Sequence, residues 1–494
     1  MVKAALAAGL SCALLGCGSS GVGVLQAQSA GDGAATPARN QLAAADPVAA
    51  QAGAPTAAGA PETASGAWLH AATPSAHVMD RGDTDIAVWI DVPKGGAAVR
   101  LPTAVTLSVD TSGSMAGPKM DHAKRAASSL VAGLHAGDMV SLHAFDDVAT
   151  VRLAPTVLDA LSRDRIQGVI SGLSARGATN IADALHLGQS AVAQSLATHP
   201  VRRLVVISDG QATVGTSDPS SLGRIAALGA HRGVQITALG VGMDYDERTL
   251  NELAVKTSGR MFHIGNPRDL PAILERELAL LQDTRATDAV VELIPAQGAR
   301  IVSVRGAEIP AGRGAEAGTV RVPLGALFGG QTRELVVRMR LGGVEHSERA
   351  LLSARLLFRD PKDDGLSRMQ EAVVRSTVTR DEALLTSSVN ARASAIVSTF
   401  AAADLTQIAS AHAARGDFDA ADRELAKAEG ELRRRAEHAK DASERQLIAS
   451  RAAKLGSARA SVQAAAQAPP SAKPAQRRQN QLDLNEAAMK MQGF

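Results

Sequence analysis

Five oxygen-bearing side chains at the ends of apolar runs are the part of this chain that can do chemistry. Asp110-Thr111-Ser112-Gly113-Ser114 follows directly on the run Val105-Thr106-Leu107-Ser108-Val109. Gly177-Ala178-Thr179-Asn180 lies downstream, and a second run, Leu204-Val205-Val206-Ile207, ends in Ser208-Asp209-Gly210. In an open α/β sheet, ligands bind beyond the carboxyl ends of the strands. Three loops there would gather Asp110, Ser112, Ser114, Thr179 and Asp209, an all-oxygen set suited to a hard divalent cation. Mg2+ takes six oxygens at about 2.0–2.1 Å, and a small hydroxyl-rich site favours it over Ca2+, with Mn2+ the other alternative. Three neutral hydroxyls add little charge, so the ion stays electrophilic. Asp110 and Asp209 would hold it directly or through water.

The elements that must position these residues follow from periodicity. Between residues 101 and 283, apolar strand runs at 104–109, 139–145, 203–208 and 234–240 alternate with helical patterns. One helical face carries Met120, Ala123, Ala127, Leu130 and Leu134; another carries Ile181, Ala184, Leu185, Gly188 and Val192. Such alternation predicts a mostly parallel sheet covered on both faces, a Rossmann-like α/β domain. Residues 284–362 show short β-rich runs separated by Pro295, Gly306, Gly329-Gly330 and Gly342-Gly343, which predicts a small antiparallel sandwich. Residues 66–100 read as a leading strand segment, with Ile86–Val92 covering an edge of the later domains. A helical region is expected over 363–467, where Phe418, Ala421, Leu425, Ala428 and Leu432 follow 3-4-3-4 spacing and Gly416-Asp417 separates two helices. Residues 468–494 read as a flexible tail with a candidate short helix over Leu482–Met491.

The central segment resembles a von Willebrand factor type A domain. The resemblance rests on Asp110-Thr111-Ser112-Gly113-Ser114-Met115, Gly177-Ala178-Thr179-Asn180 and Ser208-Asp209-Gly210, with Gly117-Pro118-Lys119-Met120, Gly137-Asp138-Met139-Val140 and Gly240-Val241-Gly242 as supporting context. It covers residues 101–283. It implies that Asp110, Ser112, Ser114, Thr179 and Asp209 form the family's metal-ion-dependent adhesion site, with an open position that accepts an Asp or Glu carboxylate of a protein partner. The downstream regions resemble bacterial relatives of the inter-alpha-trypsin inhibitor heavy chains.

Bulk properties bound the rest. The 494 residues suffice for two or three domains. Fifty-two basic residues nearly balance 50 acidic ones, and aromatics are 2%, which argues against nucleic acid as a partner. Both cysteines, Cys12 and Cys17, lie near the start, so no disulfide or cysteine metal site can form in the body of the chain. Lys3, the apolar stretch Ala4–Leu15 and Leu14-Leu15-Gly16-Cys17 have the layout of a bacterial secretory signal over residues 1–17. The last four residues resemble a lipobox, in which Cys17 becomes lipidated, and Gly18 after it implies the outer membrane. Residues 18–65, rich in Ala, Gly, Pro and Ser, read as a disordered tether. The expectation is an envelope lipoprotein, facing the periplasm or the surface.

Other patterns weigh less. Arg81-Gly82-Asp83 reads as a turn before a strand, and Asp146-Asp147 as a solvated loop rather than a second metal site. His135, His143, His186 and His263 lie on different elements without a zinc-binding spacing, and neither a Gly-x-Ser-x-Gly elbow nor a Walker loop is present. The sequence therefore points to metal-dependent binding rather than catalysis. The alternatives are a scaffold acting through the helical region and, less favoured, a metal-dependent hydrolase.

Overall fold

A computed structural model describes residues 68–94, 100–195, 198–209, 212–242, 245–264, 266–306, 318–342, 347–361, 366–439 and 442–493. The signal, Cys17 and the tether lie outside the described residues. In chain order the strands and helices are β1 (Leu69–Ala72), β2 (His77–Met79), β3 (Asp83–Asp91), β4 (Thr103–Asp110), α1 (Pro118–Gly133), β5 (Met139–Phe145), β6 (Ala149–Val157), α2 (Ala160–Ser171), α3 (Ile181–Ala193), β7 (Val201–Ser208), α4 (Pro219–Ala230), β8 (Val234–Val241), α5 (Glu247–Lys256), β9 (Arg260–Ile264) and α6 (Leu270–Gln282). They continue as β10 (Thr284–Pro295), β11 (Ala299–Arg305), β12 (Val320–Phe328), β13 (Thr332–Leu341), β14 (Glu348–Asp360), β15 (Leu366–Thr379), α7 (Leu384–Ser387), α8 (Ala391–Arg415), α9 (Phe418–His438), α10 (Ala442–Ala466) and α11 (Lys473–Met491).

Strands β4 to β9 form one sheet in the order β6-β5-β4-β7-β8-β9, parallel except for β6. Every residue of β4, β7 and β8 is buried, because helices cover both faces. Val105, Leu107, Val109, Val205 and Ile207 meet Met120 and Leu130 of α1 and Leu274 of α6 on one face. Leu204 and Val206 meet Ile181, Leu185, Leu222 and Leu253 on the other. Helix α3 lies close because Gly188 faces the sheet: a Cβ there would sit 2.7 Å from Leu204 Cδ1. The chain leaves β4 toward β5 and later returns to β7 on its other side, so the order reverses between β4 and β7. Ligands bind at such a reversal, beyond the strand ends.

The sandwich departs from the expected layout. Its sheets run β1-β3-β13-β11 and β12-β10-β14-β15-β2, so the α/β domain is inserted between β3 and β10. Strand β3 is not an edge cover. It lies between β1 and β13, with Ile86, Val88 and Ile90 in the sandwich core and Ala87 packed under Ile396 and Phe400 of α8. Residues 366–379, read from sequence as the start of the helical region, are strand β15. Helix-forming residues such as Met369, Gln370, Glu371 and Ala372 are overridden there by a long antiparallel ladder to β14. Gln370 Oε1 also accepts the Trp68 N–H at 2.7 Å, tying the leading segment to this strand.

Helices α8 to α11 share one apolar core that includes Leu425, Leu432, Ile448 and Leu455. Gly416, at φ +79°, ends α8, and the Asp417 side chain caps α9. The tail is corrected as well: the helix at Leu482–Met491 is present but begins at Lys473, making α11 nineteen residues long with Leu482, Leu484 and Met489 buried. Its sequence reads as loose because much of its anchorage is polar. Arg478 donates to Glu247 Oε2 at 2.7 Å, and Ser461 donates to Asn480 Oδ1 at 2.8 Å.

One buried group makes the α/β domain sensitive to acid. His143 on β5 is wholly buried, neither ring nitrogen has a hydrogen-bond partner, and burial pushes its pKa down to about 4. The unfolded chain takes up this proton near pH 6.5 while the native state excludes it, so stability falls as pH drops from about 6.5 toward 4, by up to about 1.4 kcal/mol per pH unit. Asp110, whose pKa burial raises to about 6, contributes in the opposite sense over the same range, so the His143 share is read by comparison: urea denaturation at pH 7 and pH 5 should show the wild type losing more stability on acidification than His143→Leu does.

Candidate metal centre

Asp110 is the last residue of β4, and Asp209 follows the last residue of the neighbouring β7. The β4–β7 register pairs Val109 with Ile207, which brings Asp110 level with Ser208 and puts Asp209 one residue further along the same rim. Asp110 is fully buried. Its Oδ1 accepts the Ser112 N–H at 2.8 Å, and its Oδ2 accepts the Ser208 hydroxyl at 2.6 Å. Burial raises the Asp110 pKa to about 6; hydrogen bonds from Ser112 and Ser208 lower it, and the charge of Asp209 raises it further.

The turn after β4 is a short 3-10 segment, Gly113–Met115, anchored by Met115 in the core. It brings the hydroxyls of Ser112 and Ser114 within 3.0 Å of each other, and Ser114 Oγ donates to Asp209 Oδ1 at 2.8 Å. The Lys119 ammonium, from the first turn of α1, donates to Asp209 Oδ2. Four of the five expected residues thus belong to one hydrogen-bonded cluster.

Thr179 reaches the rim through backbone contacts. Gly113 N donates to Gly177 O at 3.0 Å, and Arg176 N donates to Thr111 O at 2.6 Å, which clamps the Thr179 loop to the Ser112–Ser114 turn. Thr179 N donates to Thr213 Oγ1 at 3.0 Å, and Thr213 N donates back to Thr179 O at 2.9 Å. Asn180 then caps α3 by accepting the Asp183 N–H. Among the described hydrogen bonds, none joins the Thr179 hydroxyl to the other four residues. Gly210 lies outside the described residues.

Asp146-Asp147 braces this loop, with Asp147 exposed as expected and Asp146 buried against it. Asp146 is buried, bonds Arg176 Nε at 2.8 Å, and offers its backbone O to Asn180 N at 2.8 Å. Asp147 Oδ1 accepts the Ala178 N–H at 3.1 Å. Arg81-Gly82-Asp83 forms a turn as expected, with Gly82 at φ +93°, and Asp83 pairs with Arg340 at 2.6 Å.

Lys119 and Ser208 lie within motifs read from the sequence but carried no role there, and Thr213 lies outside those motifs. The available signal was position. Ser208 directly precedes Asp209, and Lys119 stands at the start of a helix immediately after the Asp/Ser turn.

The donor set fits a small hard cation: two carboxylates and three hydroxyls, with no soft ligand among them. Among the described residues no group of three or more His, Cys, Asp or Glu side chains is placed to hold a metal. An ion here would therefore need the hydroxyls.

Fold and rim together define an open-sheet α/β module with a polar cluster at the strand-order reversal. Residues 105–211 match the family model of the von Willebrand factor type A domain. It is 25% identical over 305 residues to an Arabidopsis thaliana protein named E3 ubiquitin-protein ligase WAV3, covering 58% of this chain and 38% of that protein. It is 27% identical over 196 residues to inter-alpha-trypsin inhibitor heavy chain H4 of Sus scrofa, covering 38% of this chain and 20% of that one. The chain therefore spans less than half the length of either relative. The solved structure of a von Willebrand factor type A protein from Catenulispora acidiphila matches with a TM-score of 0.67 and 18% identity, over 86% of this chain and 98% of that one. That likeness extends the shared fold well beyond the α/β domain.

The clamp on the Thr179 loop depends on Gly177, at φ +69°, where a Cβ would lie 2.6 Å from Asp147 Oδ2. Gly177→Ala should lower stability by about 1–2 kcal/mol from the left-handed backbone alone, read by chemical denaturation.

Proposed function

We propose that this is a divalent-metal-dependent protein-binding module, with Asp110, Ser112, Ser114, Thr179 and Asp209 as the metal-holding residues. The observation that carries the reading is the placement of two buried carboxylates and a pair of linked serine hydroxyls on one rim, at the reversal between β4 and β7. Buried carboxylates are stabilised further by a nearby cation, and hydroxyls beside them complete an oxygen shell without neutralising it. Mg2+ suits this set best, with Mn2+ and Ca2+ as alternatives. A bound ion would supply an electrophilic position for an acidic side chain of a protein partner. The chain's own residues do the rest: the β4–β7 register fixes the carboxylates, Ser208 and the Ser112 N–H orient Asp110, and the Asp146–Arg176 brace holds the third loop in place.

The same reading places the protein in a bacterial envelope, lipid-anchored through Cys17, on the strength of Leu14-Leu15-Gly16-Cys17 and the tether-like composition after it. Among the described residues, no helix is long and apolar enough to cross a membrane. The scaffold alternative gains little from the helices, because contact surface on α8 is spent on the sandwich and on α11 against the start of α5.

Asp110→Ala should abolish calorimetric Mg2+ uptake and, with it, chelator-sensitive capture of the partner from intact envelopes by cross-linked pull-down. An unchanged Mg2+ titration in that variant contradicts the assignment.

A further inference from the structure

We infer that Lys119 is a built-in counter-charge that selects an anionic ligand at this rim, an inference that rests on the metal-binding reading above. The Asp209 side chain is fully buried, and both of its oxygens are engaged: Oδ1 by the Ser114 hydroxyl at 2.8 Å, Oδ2 by the Lys119 ammonium. Lys119 is the second residue of α1. A cation there opposes the helix macrodipole, which favours negative charge at an N-terminus. Its position is explained by Asp209 and not by the helix. The path of the stem is also built. Gly242, at φ +88°, borders it, and a Cβ at that position would lie 3.3 Å from Lys119 Cε.

The consequence is a matter of charge. Asp110 and Asp209 contribute two negative charges and Lys119 one positive, leaving the rim at net −1 when both acids are ionised. A divalent cation brings it to +1. A rim carrying net positive charge favours a carboxylate over water or a neutral carbonyl at the remaining position. Without Lys119 the loaded rim is neutral and loses that preference. Lys119 therefore acts in two opposite directions. It weakens entry of the cation by repulsion, and it strengthens capture of an acidic side chain once the cation is in place. It is a specificity-determining residue and need not touch the metal.

The full chain with Lys119→Met and Lys119→Gln tests this, with Lys119→Arg as the charge-preserving control. Gln can still donate a hydrogen bond to Asp209 but carries no charge, so it separates charge from contact and stands in if the Met variant fails to fold. Mg2+ affinity is read by calorimetry. Carboxylate capture is read on the Mn2+-loaded protein by titrating acetate and following the fall in water-proton relaxation. Both neutral variants should bind Mg2+ about tenfold more tightly and acetate about tenfold more weakly, the scale of coupling between unit charges a few ångströms apart at a wet site. The Arg variant should match the wild type. If the wild type binds Mg2+ and the neutral variants match it in both measurements, the role of Lys119 is overturned and the metal reading stands. If the wild type itself takes up no Mg2+, the metal reading falls.

Discussion

Two carboxylates buried on neighbouring strands are the constraint around which the α/β domain is arranged. Asp110 and Asp209 sit buried where β4 and β7 end, and for Asp110 burial disfavours the charged form. Burying an unpaired charge is costly, so each must be met by donors or a cation. The surrounding polar groups answer that requirement. Ser208 and the Ser112 N–H serve Asp110, and Ser114 and Lys119 serve Asp209. The register of β4 on β7 keeps the two acids adjacent, and that register is locked by apolar side chains packed against helices on both faces.

The remaining architecture keeps this rim rigid. The α/β domain is fastened to the sandwich at the opposite ends of its strands: Gln235, near the start of β8, donates to the backbone of Leu324 and Ala326 on β12. Arg203, near the start of β7, is buried over the Phe328 ring. The sandwich in turn is closed by strands from before and after the inserted domain, and α8 covers its outer face. Helix α11 returns to the α/β domain, where Arg478 meets Glu247 and lies over the Tyr245 ring. Binding and catalytic residues are commonly carried on loops that a rigid scaffold positions.

Much of the α/β domain was legible in the sequence because buried parallel strands are written as unbroken apolar runs, and the helices between them carry clear 3.6-residue stripes. Asp110, Ser112, Ser114 and Asp209 were legible for the same reason, since each follows a run whose end is easy to see, whereas Thr179 stands in the loop before α3. Other features were hidden by long-range pairing. Strand β15 is composed of residues that favour helices, and only its ladder to β14 makes it a strand. Strand β3 looked like an edge cover because its partner β13 lies more than two hundred residues away. Helix α11 is rich in polar residues whose partners sit on distant elements, so composition alone suggested a loose tail. The ammonium of Lys119 was hidden in a helix start, where its bond to Asp209 depends on the meeting of two loops about ninety residues apart.

The central claim is that these oxygens converge on one divalent ion. Crystals grown with Mn2+ and measured at the manganese absorption edge test it most directly. The account predicts one strong anomalous peak at the rim, within bonding distance of the Ser112 and Ser114 hydroxyls and reached by Asp110, Thr179 and Asp209 directly or through water. A rim without anomalous signal at saturating Mn2+, with Lys119 still bound to Asp209, would contradict it.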